Sequence, residues 1–236
     1  MLGNLVLTGA SWLLFYFVLK KPLLKNWFLP FNKLLKEIGV GLILALLAFA
    51  IPLIIKTLIY NIEWSFSDSA NFTDTIQALY FYFNSVLFEE LLFRGALLSL
   101  IIYFTSSRTA LLISATAFGI YHWFSYGMFG SGLIPMVYIF LLTGGMGLVW
   151  AYMYSKTNSI VLPVIAHLAW NFQSALFLDY QPFGQLLFKS TINRELSELA
   201  NFGLQAGGDI LSILLMFGGF KYYQLKKRKP TISQLS

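Results

Sequence analysis

The sequence contains no cysteine, only two histidines and few charged residues, which make up 11% of its 236 residues. Without cysteine the chain can form no disulfide, and a cysteine nucleophile or a thiolate metal site is excluded. Soluble domains contain about 25% charged residues. The hydrophobic share of 58% and the mean hydropathy of +0.70 therefore predict a membrane protein.

Apolar runs long enough to cross a bilayer follow one another along the chain. About 20 apolar residues span the hydrocarbon core, and the sequence predicts an all-α, polytopic transmembrane helix bundle that forms a single membrane domain over residues 1–236. Residues 184–205 are predicted to form an amphipathic surface helix. We predict seven spans, near residues 3–19, 38–60, 76–103, 109–126, 132–154, 159–178 and 208–223.

Most of the 16 basic residues occur in alternate connections and in the C-terminal tail. Loop 61–75 carries Glu63, Asp68 and Asp74 and no basic residue. The positive-inside rule then predicts an outer N-terminus and a cytoplasmic C-terminus. The net charge of +6 fits this topology and contact with anionic membrane lipids, so no nucleic-acid partner is expected. The phenylalanine-rich, lysine-rich composition suggests a multi-pass protein of a bacterial plasma membrane.

The third predicted span places Glu89, Glu90 and Arg94 at membrane depth, within "NSVLFEELLFRGALLSLIIYF". A charged side chain at the bilayer centre costs about 2.5–3.5 kcal/mol on insertion scales, so these groups need partners. Glu90 and Arg94 are four residues apart, which puts them on one helix face as an ion pair. Glu89 is rotated by about 100° from Glu90, so it must face another partner or a wet cavity.

Both histidines also fall inside predicted spans. His122 lies in "AFGIYHWF", four residues after Phe118, and His167 lies in "VIAHLAWNF", four residues before Asn171. Each residue alone fits a structural role, Phe118 as packing and the histidines as hydrogen-bonded core residues. A structural role for the whole set leaves Glu89 without an ion-pair partner and gives no reason for two histidines at this depth. A functional site is therefore favoured.

The chemistry of these side chains suits the hydrolysis of an acyl bond, above all a peptide bond. Glu89 is a candidate general base, and a histidine opposite it can share a bound water. His167 and Asn171 lie side by side on another helix, and both can donate hydrogen bonds to a developing oxyanion.

The three segments resemble the CPBP family, the CAAX-protease and bacteriocin-processing (Abi) membrane proteins. The family pattern is EExxxR, then FxxxH, then HxxxN or HxxxD, and the sequence reads "EELLFR", "FGIYH" and "HLAWN" in that order. The resemblance covers roughly residues 75–178, the motif-bearing catalytic core. It implies a glutamate-type intramembrane endopeptidase that acts, without cofactor or metal, on a peptide or lipidated-peptide substrate.

The motif positions of this family imply a role for each residue. Glu89 is the base that activates water, assisted by His122, and His167 and Asn171 stabilise the oxyanion. The residues predicted to be catalytic are Glu89, Glu90, His122, His167 and Asn171, and those predicted to support the site are Arg94 and Phe118.

Two other functions are compatible with the same residues. His122, His167 and a glutamate would make the ligand set of a metal-dependent membrane hydrolase, although no HExxH motif is present and Asn171 is a poor zinc ligand. The second alternative is a non-catalytic scaffold or immunity protein that binds a peptide or a sensor kinase.

Overall fold

The chain folds into a bundle of helices, as the succession of apolar runs predicts. The computed structural model describes residues 2–20, 30–68, 70–179 and 182–228. The helices are α1 (Leu2–Leu14), α2 (Phe31–Tyr60), α3 (Phe72–Glu90), α4 (Ala96–Phe104), α5 (Ser107–Ser125), α6 (Leu133–Thr157), α7 (Val161–Phe177) and α8 (Glu198–Arg228).

Several helices have the length and composition of membrane spans. Among the described residues, four meet both criteria, namely Leu2–Leu19, Phe31–Tyr60, Leu133–Thr157 and Glu198–Lys226. The outer faces of the bundle are apolar; Leu58 and Leu133, for example, are 75% and 77% exposed. Such surfaces are suited to lipid rather than to water. The predicted all-α membrane bundle is confirmed.

The predicted span 76–103 is interrupted just after its two glutamates. Helix α3 ends at Glu90, a π-helical turn follows over Leu91–Gly95, and α4 begins at Ala96. Wide turns of this kind are rare and often occur at functional sites. Arg94 lies in this turn, so the interruption sets the position of the buried guanidinium.

Helices α5 and α6 approach each other closely through glycines. A Cβ atom on Gly119 would lie 2.7 Å from the Phe140 ring, and one on Gly144 would lie 3.2 Å from the Ala115 carbonyl oxygen. Small residues at such crossings bring helix backbones together in membrane proteins. This contact positions α5, which carries His122, against the centre of the bundle.

A small antiparallel sheet joins two connections at one end of the bundle. Strand β1 (Ile62–Phe66) pairs with β2 (Phe188–Ile192), with Ile62 opposite Ile192 and Phe66 opposite Phe188. The prediction of an amphipathic helix over residues 184–205 was therefore wrong for its first half. The strand conformation here depends on pairing with a segment that is distant in sequence, and helical periodicity contains no information about such pairing.

Candidate active site

The three motif segments meet around one cavity between the helices. Helix α3 contributes Glu89, α5 contributes His122, and α7 contributes His167 and Asn171; all four residues line a cavity of about 690 Å³. The two histidines and the glutamate are nearly enclosed, with exposed fractions of 8% for Glu89, 5% for His122 and 3% for His167. A polar, buried pocket has thus formed within the apolar bundle.

Glu90 and Arg94 form an ion pair behind the cavity wall, with neither side chain exposed. Arg94 Nη1 donates to Glu90 Oε1 at 3.0 Å, and Nη2 donates to the backbone oxygen of Gly147 at 2.9 Å. The guanidinium carbon lies 4.1 Å from the centre of the Phe118 ring, which is a cation–π contact. These contacts offset part of the cost of burying two charges. The predicted pairing of Glu90 with Arg94 is confirmed.

Glu89 differs from its neighbour because it lines the cavity, whereas Glu90 does not. Its Oε1 lies 3.4 Å from the Ser85 hydroxyl, a long hydrogen bond. Its Oε2 lies 3.8 Å from His167 Nε2 and has no hydrogen-bond donor among the described residues. A carboxylate of a residue that lines a cavity, with an oxygen that lacks a donor, can accept a hydrogen bond from a ligand or a water.

Hydrogen bonds fix which nitrogen of each histidine carries a proton. His122 Nδ1 lies 2.8 Å from the Phe118 carbonyl oxygen; since a carbonyl only accepts, Nδ1 is the donor and Nε2 of the neutral ring keeps its lone pair. His167 Nδ1 lies 2.9 Å from Glu90 Oε1 and donates to that carboxylate. Its Nε2 is therefore the nitrogen on the side of Glu89.

Two residues of α6 belong to this site although the sequence motifs do not include them. The Trp150 indole stacks on the His167 ring, with centroids 3.7 Å apart and planes 18° apart, and holds the orientation of the imidazole. Trp150 also lines the cavity, and its Nε1 has no acceptor among the described residues. A Cβ atom on Gly147 would lie 2.8 Å from Arg94 Nη2, so only glycine leaves room for the guanidinium.

The metalloenzyme alternative requires ligands that converge on a single point. Within residues 2–20, 30–68, 70–179 and 182–228, no three histidine, aspartate or glutamate side chains are grouped so as to hold a metal ion. His122 Nδ1 is engaged by a backbone carbonyl and His167 Nδ1 by Glu90, which leaves one nitrogen of each ring for other partners.

The family match of the motif-bearing segment gives the class of the protein, an intramembrane protease of the CAAX type. Residues 71–173, which include all three motifs, match the model of the Rce1-like family, the type II CAAX prenyl endopeptidases. This segment belongs to the CPBP family of CAAX proteases, and the resemblance stated from the motifs is confirmed. Neither a curated protein nor a solved structure matches the chain.

Proposed function

We propose that the chain is an endopeptidase in which Glu89 activates a water molecule for attack on a peptide carbonyl. The observation that carries the proposal is that Glu89 lines the cavity and that its Oε2 has no donor among the residues that the structure describes. A general base must reach the proton that it removes, and a carboxylate oxygen without a donor can accept one from a cavity water. Glu90 is not suited to this role, since it is fully buried and does not line the cavity.

His122 is suited to orient the attacking water. Because its Nδ1 donates to the Phe118 carbonyl, its Nε2 can accept a hydrogen bond from a water that is also bonded to Glu89. When the Glu89 carboxylate and His122 Nε2 each accept one proton of the same water, the lone pairs of its oxygen are oriented toward the substrate carbonyl carbon. The role of His122 is therefore to position the nucleophile rather than to remove its proton.

His167 and Asn171 are suited to stabilise the oxyanion that forms on the substrate. They lie one helical turn apart, so both side chains can reach one oxygen. Because His167 Nδ1 donates to Glu90, donation from Nε2 requires a ring that carries both protons. An imidazolium and the Arg94 guanidinium would together balance the charges of Glu89 and Glu90, so that the buried cluster is neutral.

The proposed substrate is a peptide or a lipidated peptide that enters the cavity from the membrane or its surface. We propose that the protein lies in a bacterial plasma membrane, as its phenylalanine-rich and lysine-rich composition suggests. Its N-terminus lies outside in this proposal, because basic residues occupy alternate connections.

The test compares three forms of the protein in lipid nanodiscs, with substrates found by comparing the peptides of cells that carry wild type or Glu89→Gln. Glu89→Gln keeps the size of the side chain and removes the base, so turnover is expected to fall by at least about 10²-fold without loss of folded protein. Glu63→Gln makes the same change on the exposed strand β1 and serves as the matched control. Hydrolysis should continue in strong chelators. Near wild-type turnover of Glu89→Gln would reject the mechanism.

A further inference from the structure

The exposed part of the cavity wall lies at one end of the bundle. Among the described residues that line the cavity, Phe81, Ser125, Tyr126 and Pro182 are exposed. Ser125 is the last residue of α5, and Tyr126 and Pro182 lie in the connections that follow α5 and α7. The Phe81 ring contacts the ring of Phe183, with centroids 5.4 Å apart. The cavity therefore opens at the end of the bundle where α5 and α7 end.

The small sheet and two further helix ends lie at this same end, which we call the sheet end. The Trp64 ring of β1 contacts the ring of Phe177, the last residue of α7, with centroids 5.5 Å apart. The Tyr60 hydroxyl, at the end of α2, donates to Asn201 Oδ1 near the start of α8 at 2.9 Å. The connections that contain β1 and β2 thus surround the opening of the cavity.

Packed apolar side chains separate the cavity from the opposite end of the bundle. Met153 of α6, Leu162 of α7 and Phe220 of α8 are 0% exposed and belong to one buried cluster, and these three residues do not line the cavity. Past this cluster, Lys33 Nζ near the start of α2 donates to the backbone oxygen of Thr157 at the end of α6, at 2.8 Å. A peptide at this end would meet the apolar cluster and not Glu89.

The two ends of the bundle also differ in charge. Residues 61–75 and 179–198, which belong to the sheet end, contain six acidic and two basic residues. The opposite end, where α2 and α5 begin and α6 ends, corresponds to residues 20–36, 108, 156 and 221–229, which contain 12 of the 16 basic residues; we call it the basic end. In the proposed orientation the basic end faces the cytoplasm, so the sheet end faces outward.

We propose that the cavity opens to the outer side of the membrane, so that the enzyme cleaves peptide segments that have already been exported. This inference rests on the proposed peptidase function and the proposed orientation, and it adds the substrate class. Secreted peptides and the outer segments of membrane proteins can reach Glu89, whereas cytoplasmic chains cannot. The reaction that supplies the substrate is therefore translocation across the membrane, and cleavage follows it.

The first test locates the two ends of one helix, in a chain that has no cysteine of its own. Ser107 and Ser125 are the first and last residues of α5, and both are exposed. A membrane-impermeant maleimide is expected to label Ser125→Cys in sealed right-side-out vesicles and Ser107→Cys in inverted vesicles, so that each variant is the control for the other. The reverse pattern, or labelling of both variants from one side, overturns the proposal.

The second test measures access to the proposed base. Ser85 lines the cavity, and its hydroxyl lies 3.4 Å from Glu89 Oε1. A small cationic thiosulfonate is expected to modify Ser85→Cys from the outer side only. Ser114→Cys is the matched control, because Ser114 is buried and does not line the cavity, and it should stay unmodified from both sides. Modification of Ser85→Cys from the cytoplasmic side, or from neither side, overturns the proposal.

The third test concerns the substrate itself. The probe is the peptide that wild-type cells process and Glu89→Gln cells accumulate, joined to a sulfonated fluorophore that keeps it from crossing the membrane. Right-side-out vesicles with the full chain should hydrolyse it, and inverted vesicles should do so only after detergent opens them. Hydrolysis by sealed inverted vesicles overturns the proposal. Outer-side modification of Ser85→Cys without hydrolysis even in detergent would reject the peptidase, and with it the exported substrate, but keep the outward opening of the cavity.

Discussion

Two adjacent glutamates at the end of α3 occupy different environments. Glu90 is 0% exposed and accepts hydrogen bonds from Arg94 at 3.0 Å and from His167 at 2.9 Å. Glu89 is 8% exposed and lines the cavity, although each of the two carboxylates has one oxygen with no donor among the described residues. The two residues are identical in chemistry and differ only in the helix face that they occupy.

This difference shows that two neighbouring residues at one helix end can have separate roles, one in holding the site together and one in facing the cavity. A rotation of about 100° per residue directs the Glu89 carboxylate to the cavity and the Glu90 carboxylate to Arg94. The Arg94 side fixes the position of His167, which in turn faces Glu89 at 3.8 Å. Changes on the Arg94 side should therefore affect folding first, and changes on the cavity side should affect turnover first.

The largest effect is expected from Arg94→Ala, which leaves Glu90 buried without its cation. Removal of one partner of a buried ion pair typically costs about 3–5 kcal/mol, so the free energy of unfolding should fall by about this amount, together with activity. Equilibrium unfolding in mixed micelles with increasing sodium dodecyl sulfate measures it. Arg108→Ala is the control, since Arg108 is exposed at the start of α5. An Arg94→Ala protein as stable as this control would remove the distinction between the two glutamates.

Much of this arrangement was predictable because it depends on local geometry. The four-residue spacing of Glu90 and Arg94 predicted the ion pair. The rotation of Glu89 relative to Glu90 predicted that Glu89 faces a different environment, which is the cavity. The apolar runs predicted the helices, since the length and composition of each run indicate a helix without information from other segments. The prediction that the residues 1–236 form one domain, with a core at 75–178, remains a prediction.

Other features depend on contacts between distant segments and escaped prediction. The π-helical turn at Leu91–Gly95 and the pairing of β1 with β2 have no strong local signal. The hydrogen bond from Arg94 to the carbonyl oxygen of Gly147 joins segments 53 residues apart in the sequence. Gly147 and Trp150 are three residues apart and thus share one helix face, which is the signal that could have assigned both of them to the site.

On the cavity side, Asn171→Ala is expected to lower turnover without a comparable loss of stability. An oxyanion donor acts on charge that develops in the transition state, and its removal typically costs about 10²–10³-fold in kcat. Substrate binding should change less. Gln173→Ala is the matched control on the same helix, because Gln173 donates to the Ala169 carbonyl and does not line the cavity.

The metalloenzyme alternative predicts a different result for these positions. A metal ion bound by His122 and His167 would be lost in His167→Ala, whereas Asn171→Ala would stay active. Elemental analysis of the purified proteins, alongside their kinetics, distinguishes the two mechanisms. Stoichiometric zinc in wild type that disappears only in His167→Ala would reject the glutamate mechanism.

Trp150→Phe is a smaller change, at a residue that both stacks on His167 and lines the cavity. Phenylalanine retains an aromatic ring against His167 but removes the Nε1–H group of this cavity-lining residue, which has no acceptor in the part of the chain that the structure describes. If this group binds a substrate carbonyl, its loss should lower kcat/KM by about three- to tenfold, equivalent to about 0.5–1.5 kcal/mol. Trp12→Phe is the control, since Trp12 is 50% exposed on α1. Unchanged kinetics would limit Trp150 to the orientation of His167.

The smallest effect is expected from Asp68→Asn, which removes an ion pair at the surface of the protein. Asp68 accepts from Lys189 at 3.1 Å, nearly the Glu90–Arg94 distance, but the two side chains are 95% and 47% exposed. The hydrogen bond and the charge of Lys189 lower the pKa of Asp68. Because the folded pKa is the lower one, any stabilisation is present above the unfolded pKa of about 3.9 and is lost as the pH falls through the folded pKa.

Solvent screens this exposed pair, so Asp68→Asn should unfold at the same dodecyl sulfate fraction as wild type at pH 7. Any small difference should vanish once the pH is below the lowered folded pKa of Asp68, where the wild-type carboxyl is protonated as well. Lys189→Gln removes the other partner and should behave in the same way. A loss at pH 7 as large as that of Arg94→Ala would mean that distance, rather than burial, sets the strength of these pairs, and the comparison of Glu90 with Glu89 would then need another explanation.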